Sequence, residues 1–109
     1  MKLVIAIVHD DDADELIERL TEHGVGVTKL ATTGGFLKSE NTTLLIGIDE
    51  EKLDGVLETI RKVCNTRKEV ISPPSPVLGV TGVYVPSPIE VTIGGATVFV
   101  LEVDSFEKI

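Results

Sequence analysis

The chain has 109 residues and carries a formal net charge of −8 at neutral pH. This length is typical of one domain, so we expect residues 1–109 to form a single unit. The acidic balance argues against broad binding to nucleic acid or to anionic membranes, because both need clustered Lys and Arg. No apolar run approaches the roughly 20 residues that span a bilayer. The single cysteine, Cys64, excludes an internal disulfide and is typical of a reducing, cytoplasmic setting.

The first elements predicted from the sequence are a strand and a helix. Residues 3–8 form a continuous apolar run, which indicates a buried strand. Acidic residues follow as candidates for a helix N-cap, and Asp12 with Glu15 fits a capping pair. Apolar residues at helical spacing then predict a helix over residues 11–23, and Gly24 lies where a left-handed C-terminal cap belongs.

The middle of the chain is predicted to form two strands and a second helix. Residues 25–33 and 42–48 are rich in residues that favour strands, and a glycine-rich loop over residues 34–41 separates them. Asp49 is then placed to cap a helix. The apolar face of that helix is formed by Leu53, Val56, Leu57, Ile60 and Val63.

The last third of the chain has a different composition. Residues 67–71 predict a short strand, after which all five prolines fall within residues 73–88. Proline resists regular structure, so we expect a long loop that is functional or mobile. Residues 89–93 and 96–103, joined by the glycine pair 94–95, predict a hairpin with a tight turn. The whole order predicts an α+β fold, a ferredoxin-like βαββαβ sandwich with an extra C-terminal hairpin.

The first strand is apolar on both faces. Because side chains alternate along a strand, the odd-numbered residues from 3 to 7 lie on one side and the even-numbered residues from 4 to 8 on the other. In a sheet that helices cover on one face only, apolar and polar residues should alternate. We therefore expect the uncovered face to be buried against another copy of the chain.

The segment from Thr28 to Gly47 combines three kinds of nucleotide-recognition chemistry. Phe36 offers a face on which a base can stack, and the Asn41 amide can donate to and accept from an adenine edge. The glycines of the loop let backbone N–H groups approach a phosphate closely. These features favour a nucleotide sensor. The alternative is a plain β-hairpin in which Phe36 only packs the loop, and the residues alone leave both interpretations open.

Support for catalysis or for metal binding is weak. Cys64 is typical of a small core residue, and no histidine lies close to it in sequence. Two histidines are too few for the usual kind of metal site. The acidic run at residues 10–12 is explained more simply by the dipole of the following helix than by a bound cation. We therefore expect no catalytic residue, no metal and no cofactor, in a protein that is not an enzyme.

Two blocks of the sequence carry a family resemblance. The first block is the run KLATTGGFL at residues 29–37, followed by NTT at residues 41–43 and by Gly47. The second block is GGATVFVLEVDSF at residues 94–106. Together they resemble the PII-like cyclic di-AMP receptor proteins called DarA or PstA, and the resemblance spans almost the whole chain.

The resemblance implies a homotrimer of ferredoxin-like subunits, with cyclic di-AMP bound in the clefts between subunits. Phe36 would pack on an adenine in such a cleft. Asn41 and the Gly47 backbone would bind the adenine edge. Thr28 would bond the phosphate or the atoms near it.

Further expectations concern the loop and two departures from the family pattern. Gly35 and Leu37 would shape the pocket. Some relatives carry a basic residue at position 26, where this chain has Gly26, and an amide near the C-terminus, where this chain has Lys108. Loss of the charge at position 26 would weaken phosphate binding. Lys108 would compensate if the tail folds over the cleft of the neighbouring subunit.

The implied function is that of a cytoplasmic signal-transduction protein. It would bind the second messenger cyclic di-AMP and relay the signal by loop rearrangement to a protein partner that the sequence does not name. One alternative is a PII-type regulator of ATP or another small ligand, which needs more cationic contacts than this acidic chain offers. The other is a CutA-like trimeric metal-tolerance protein, for which one cysteine and two histidines are a poor set of ligands.

Overall fold

The computed structural model describes residues 1–30, 41–71 and 89–109. The predicted glycine-rich loop as far as residue 40 and the proline-rich segment 72–88 lie outside these ranges. In chain order the elements are β1 (Lys2–His9), α1 (Asp10–Glu22), β2 (Val27–Leu30), β3 (Asn41–Ile48), α2 (Glu50–Val63), β4 (Arg67–Ile71), β5 (Ile89–Ile93) and β6 (Ala96–Glu102).

The main sheet contains four strands in the order β2-β3-β1-β6. Each neighbouring pair of these strands runs antiparallel. Helix α1 connects β1 to β2, and β3 lies between these two strands. This split βαβ arrangement, with both helices on one side, is consistent with the predicted ferredoxin-like plan.

The core lies between the sheet and the two helices. Along β1 and β3, buried residues alternate with more exposed ones, as expected for strands with one covered face. The buried strand residues pack against apolar stripes that include Leu16 and Leu20 of α1 and Ile60 of α2. Full burial of such a side chain contributes about 1.5–3 kcal/mol. The core therefore fixes which face of each strand points away from the helices.

The start of α1 differs from the prediction. The N-cap is His9, whose Nδ1 accepts a hydrogen bond from the backbone N–H of Asp11 at 3.2 Å. Asp12, predicted to form a capping pair with Glu15, is buried and accepts two hydrogen bonds from the Arg67 guanidinium of β4, at 2.7 and 3.2 Å. The Asp12 carboxylate, which the local spacing assigns to a helix cap, therefore binds Arg67, a residue distant in sequence.

Several element boundaries differ slightly from the predicted ones. Helix α1 covers Asp10–Glu22, and Gly24 after it has a φ of +75°, which confirms the predicted left-handed position. Strand β2 begins at Val27 instead of residue 25, and β3 begins one residue earlier than predicted, at Asn41. Strand β6 ends at Glu102, while β4 and β5 have the predicted bounds.

The predicted C-terminal hairpin between residues 89–93 and 96–103 is wrong. Strand β5 pairs with β4 in a separate two-stranded antiparallel sheet, which we call the ribbon, and β6 pairs with β1 in the main sheet. Gly94 and Gly95 join the two sheets with φ values of +82° and +86°. The N–H of Gly95 donates to the carbonyl of Cys64. The glycine pair thus passes the chain from the ribbon to the main sheet.

Candidate functional site

The side of the main sheet that faces away from the helices, which we call the open face, is largely apolar. Strand pairing aligns Thr28, Leu45, Ile5 and Phe99 in one row across it. Phe99 is 53% exposed, and Leu101 in the same strand is 45% exposed. Within the described part of the chain, these large side chains of β6 are left half uncovered. Apolar surface of this kind is typical of an interface.

The predicted ligand-binding residues that the structure describes are all exposed. Thr28 lies in β2, and Asn41 and Gly47 lie in β3, where their strand positions place them on the open face. Lys108 lies in the C-terminal tail after β6. The predicted residues that lie outside the described ranges are Gly35, Phe36 and Leu37.

Asn41 and Gly47 lie at opposite ends of β3. Asn41 pairs with His9 at one end of β1, and Gly47 pairs with Leu3 near the other end. At about 3.4 Å per strand residue, the two positions are roughly 20 Å apart. One adenine edge therefore cannot contact both residues of a single chain, and the prediction that both bind the same edge does not hold for an isolated chain.

The two ends of the main sheet carry different groups. At the Asn41 end, the hydroxyl of Thr42 donates to the carboxylate of Asp10 at the start of α1. At the Gly47 end, the backbone N–H of Val103 donates to the carbonyl of Met1 at 3.1 Å. The tail that carries Lys108 consequently leaves the sheet at the Gly47 end.

Sequence reasoning missed the ion pair between Asp12 and Arg67, which joins α1 to the base of the ribbon. Arg67 also donates to the carbonyl of Asn65 at 3.2 Å. The hydrogen bonds that Arg67 donates to Asp12 raise the pKa of the guanidinium above its ordinary value, so it remains charged. The two residues are far apart in sequence, and no local pattern connects them.

Comparison with known proteins identifies the family. The model of the cyclic-di-AMP receptor family matches residues 1–109. The chain belongs to the cyclic di-AMP receptor family. Membership supports binding of cyclic di-AMP by a second-messenger receptor. It also fits a protein whose task is binding a ligand instead of converting one.

A solved structure of similar fold comes from Pediococcus pentosaceus and is described as a functionally unknown protein. It is 49% identical to this receptor, and the match covers 99% of this chain and 96% of that chain. The TM-score is 0.77. The likeness therefore supports the fold along nearly the whole receptor.

Cys64 is buried at the end of α2 and is a poor nucleophile. Burial, with a smaller effect of the Asp12 carboxylate, raises the pKa of its thiol to about 11, so the thiol is protonated at neutral pH. Among residues 1–30, 41–71 and 89–109, no three His, Cys, Asp or Glu side chains are grouped so as to hold a metal ion. In the same ranges, neither helix is long and apolar enough to cross a membrane.

We expect the Cys64 thiol of the folded receptor to resist alkylation. Iodoacetamide at about pH 8 should modify it at least about tenfold more slowly than in the unfolded chain, because only an accessible thiolate reacts. Mass spectrometry with and without denaturant measures both rates, and equal rates would contradict the burial of the thiol.

The same group makes the stability of the fold depend on pH. Since folding raises the pKa of the Cys64 thiol from 9.0 to about 11, its contribution to the free energy of unfolding is lost as the pH rises through that interval.

Proposed function

We propose that the receptor acts in the cytoplasm as a homotrimer that binds cyclic di-AMP in the clefts between its subunits. In this proposal, binding changes the arrangement of the loops, which then engage or release a protein partner. Family membership along the whole chain supports the ligand. The observation that supports the position of the cleft is the separation of Asn41 from Gly47 along β3.

Two chains would complete each cleft. Asn41 and the segment that precedes it, with Gly35, Phe36 and Leu37, would come from one subunit. The Gly47 end of the neighbouring subunit would supply Gly47, Thr28 and, through the tail, Lys108. A dinucleotide with two adenines and two phosphates can span such a pair of half-sites. Neither half-site binds the whole ligand, so assembly and affinity are coupled.

The apolar open face supports the trimer. The row that contains Ile5 and Phe99 would lose contact with water if neighbouring subunits packed over it. Burial of apolar surface stabilises by roughly 25 cal/mol per Å². In the proposed trimer, the Gly47 end of one subunit would lie close to the Asn41 end of another.

Contacts at the Asn41 end provide a route for the signal. Thr42, next to Asn41, donates to Asp10 in the first turn of α1. Asp12 in the same turn holds Arg67 at the base of the ribbon. A ligand that shifts Asn41 would therefore shift the start of α1 and, through the ion pair, the ribbon. The ribbon would present the signal to the partner.

Calorimetric titration with cyclic di-AMP tests the proposal. We expect about one ligand per subunit and a micromolar or better dissociation constant, with much weaker binding of cyclic di-GMP and ATP. Asn41→Ala should weaken binding about tenfold or more, because the site then loses hydrogen bonds to one adenine. Asn65→Ala is the matched control, since Asn65 is exposed at the base of the ribbon and should leave the affinity unchanged.

Three outcomes, two from this titration and one from light scattering of the ligand-bound protein, would reject parts of the proposal. No binding up to about millimolar cyclic di-AMP would reject the ligand, because that limit corresponds to only about 4 kcal/mol. Equal effects of the two alanine variants would reject the role of Asn41. Binding to a single-chain species in light scattering would reject the inter-subunit cleft. We expect binding to need no metal or cofactor, and no nucleic acid or membrane as a partner.

A further inference from the structure

A small cavity lies at the Gly47 end of the main sheet, where β3 leads into α2. Its volume is about 180 Å³. Pockets that enclose a whole small ligand usually measure about 300–1,000 Å³, so this cavity suits one group of a larger ligand. It is lined by Met1, Gly24, Val25, Gly26, Gly47, Ile48, Asp49 and Lys52.

Three of the lining residues, Gly24, Gly26 and Gly47, carry no side chain. A β-carbon on Gly26 or on Gly47 would meet no atom within 4 Å. The backbone at both positions is exposed. A ligand group can thus approach the main chain at this point more closely than it could beside any other residue type.

Lys52 is the lysine of α2 that lines this cavity, and its ammonium has no ion-pair partner among the described residues. Most of the described lysines and arginines have a carboxylate within ion-pair distance. Among the described residues, Lys52, Lys62 and Lys108 have no such partner. Lys62 does not line this cavity; it lines a neighbouring groove between α1 and α2, which Lys52 also borders. Lys108 lies in the tail, so Lys52 is the cation placed at the Gly26–Gly47 backbone.

Asp49 gives the same cavity a negative charge. It is the N-cap residue of α2, but its side chain makes no capping hydrogen bond. Asp49 lines the cavity, and its carboxylate has no ion-pair partner among the described residues. A phosphate in this cavity would be attracted by Lys52 and repelled by Asp49. The two residues therefore predict effects of opposite sign on an anionic ligand.

We propose that Lys52 is a ligand-binding residue whose ammonium neutralises a phosphodiester of cyclic di-AMP in the Gly26–Gly47 cavity. The inference rests on the proposed function and adds a cation to that site. The receptor has a net charge of −8, so an anionic ligand needs a local positive charge to offset the repulsion. Lys52 meets this need because no carboxylate competes for it at ion-pair distance within the described residues.

Titration of the full chain with cyclic di-AMP, using three single variants, tests this role. Lys52→Gln should weaken binding about tenfold, since a charged hydrogen bond to phosphate is lost. Asp49→Asn should strengthen binding about two- to fivefold, because a like charge is removed from the cavity. Lys62→Gln, an exposed lysine of the same helix, is the control and should stay within about twofold of the unchanged chain.

The salt dependence separates a charge effect from a structural one. Between about 50 and 300 mM salt, Lys52→Gln should lose less affinity than the unchanged chain, because it has one fewer cation to screen. Thermal melts without ligand should be alike for all three variants. Failure of the unchanged chain to bind would reject the proposed function itself. Binding by the unchanged chain, with Lys52→Gln equal to Lys62→Gln, would overturn the role of Lys52 alone.

Discussion

Replacement of Gly94 by alanine is expected to destabilise the fold by roughly 2–5 kcal/mol, because it combines backbone strain with a steric clash. Gly94 has a φ of +82°, a value that residues with a β-carbon rarely adopt. The added β-carbon would overlap the carbonyl oxygen of Asn65 and would lie 2.8 Å from Nη1 of Arg67. The arginine side chain can move aside, but the carbonyl belongs to the backbone after α2, and moving it would cost free energy.

Gly24→Ala is the matched control for this prediction. Gly24 also has a positive φ, of +75°, but a β-carbon there would meet nothing within 4 Å. Gly24→Ala should lower the free energy of unfolding by only about 1 kcal/mol, which is the cost of the backbone conformation alone. Denaturant unfolding at one fixed protein concentration compares the two, since the stability of an assembling protein depends on concentration. Equal losses of unfolding free energy in the two variants would contradict the steric clash. They would show that Gly94 is needed only for its positive φ and that the Asn65 carbonyl moves aside.

The helices and the inner strands could be predicted because their signals are local. The stripe of α2 that begins at Leu53 repeats at helical spacing, and the run in β1 is apolar at every position. Gly24 was likewise predictable, because a helix that ends in a left-handed turn favours glycine there. In each case the deciding interaction lies within a few residues of the signal.

The pairing of β5 could not be predicted because its deciding contacts are distant. A glycine pair between two apolar runs has the same local sequence whether it closes a hairpin or joins two sheets. The choice depends on β4, which offers β5 a partner, and on β1, which takes β6. The Asp12–Arg67 pair could not be predicted for the same reason. The local pattern indicates a capping role for Asp12, whereas its actual partner lies far along the chain.

The candidate site was predictable in its chemistry and not in its geometry. The sequence shows that Asn41 can bind a base edge and that Gly47 allows close approach. The predicted strand over residues 42–48 already implies that the two residues lie apart, but it does not show which residues lie beside them. The pairing of Asn41 with His9 and of Gly47 with Leu3 follows only from the folded sheet. The sequence does not single out Lys52, because its position in a cavity and its lack of an ion-pair partner among the described residues depend on the folded structure.

Replacement of Phe99 by glutamate is expected to abolish assembly and, with it, ligand binding. Phe99 is 53% exposed in the single chain, so a charge there costs little before assembly. In the proposed trimer the same carboxylate would be buried in an apolar interface without a partner, which costs several kcal/mol. We expect the mass in light scattering to fall to that of one chain. The affinity for cyclic di-AMP should fall by at least about 100-fold, because each site would lose one of its two half-sites.

Val100→Glu is the matched control for the assembly prediction. Val100 follows Phe99 in β6 and is 43% exposed, but strand alternation points it to the helix side of the sheet. A glutamate there should leave the mass and the affinity close to those of the unchanged chain. If Phe99→Glu still assembles, the open face is not the interface. If it is a single chain that binds cyclic di-AMP normally, one subunit holds a complete site, and the roughly 20 Å between Asn41 and Gly47 must then be bridged by the ligand within one chain.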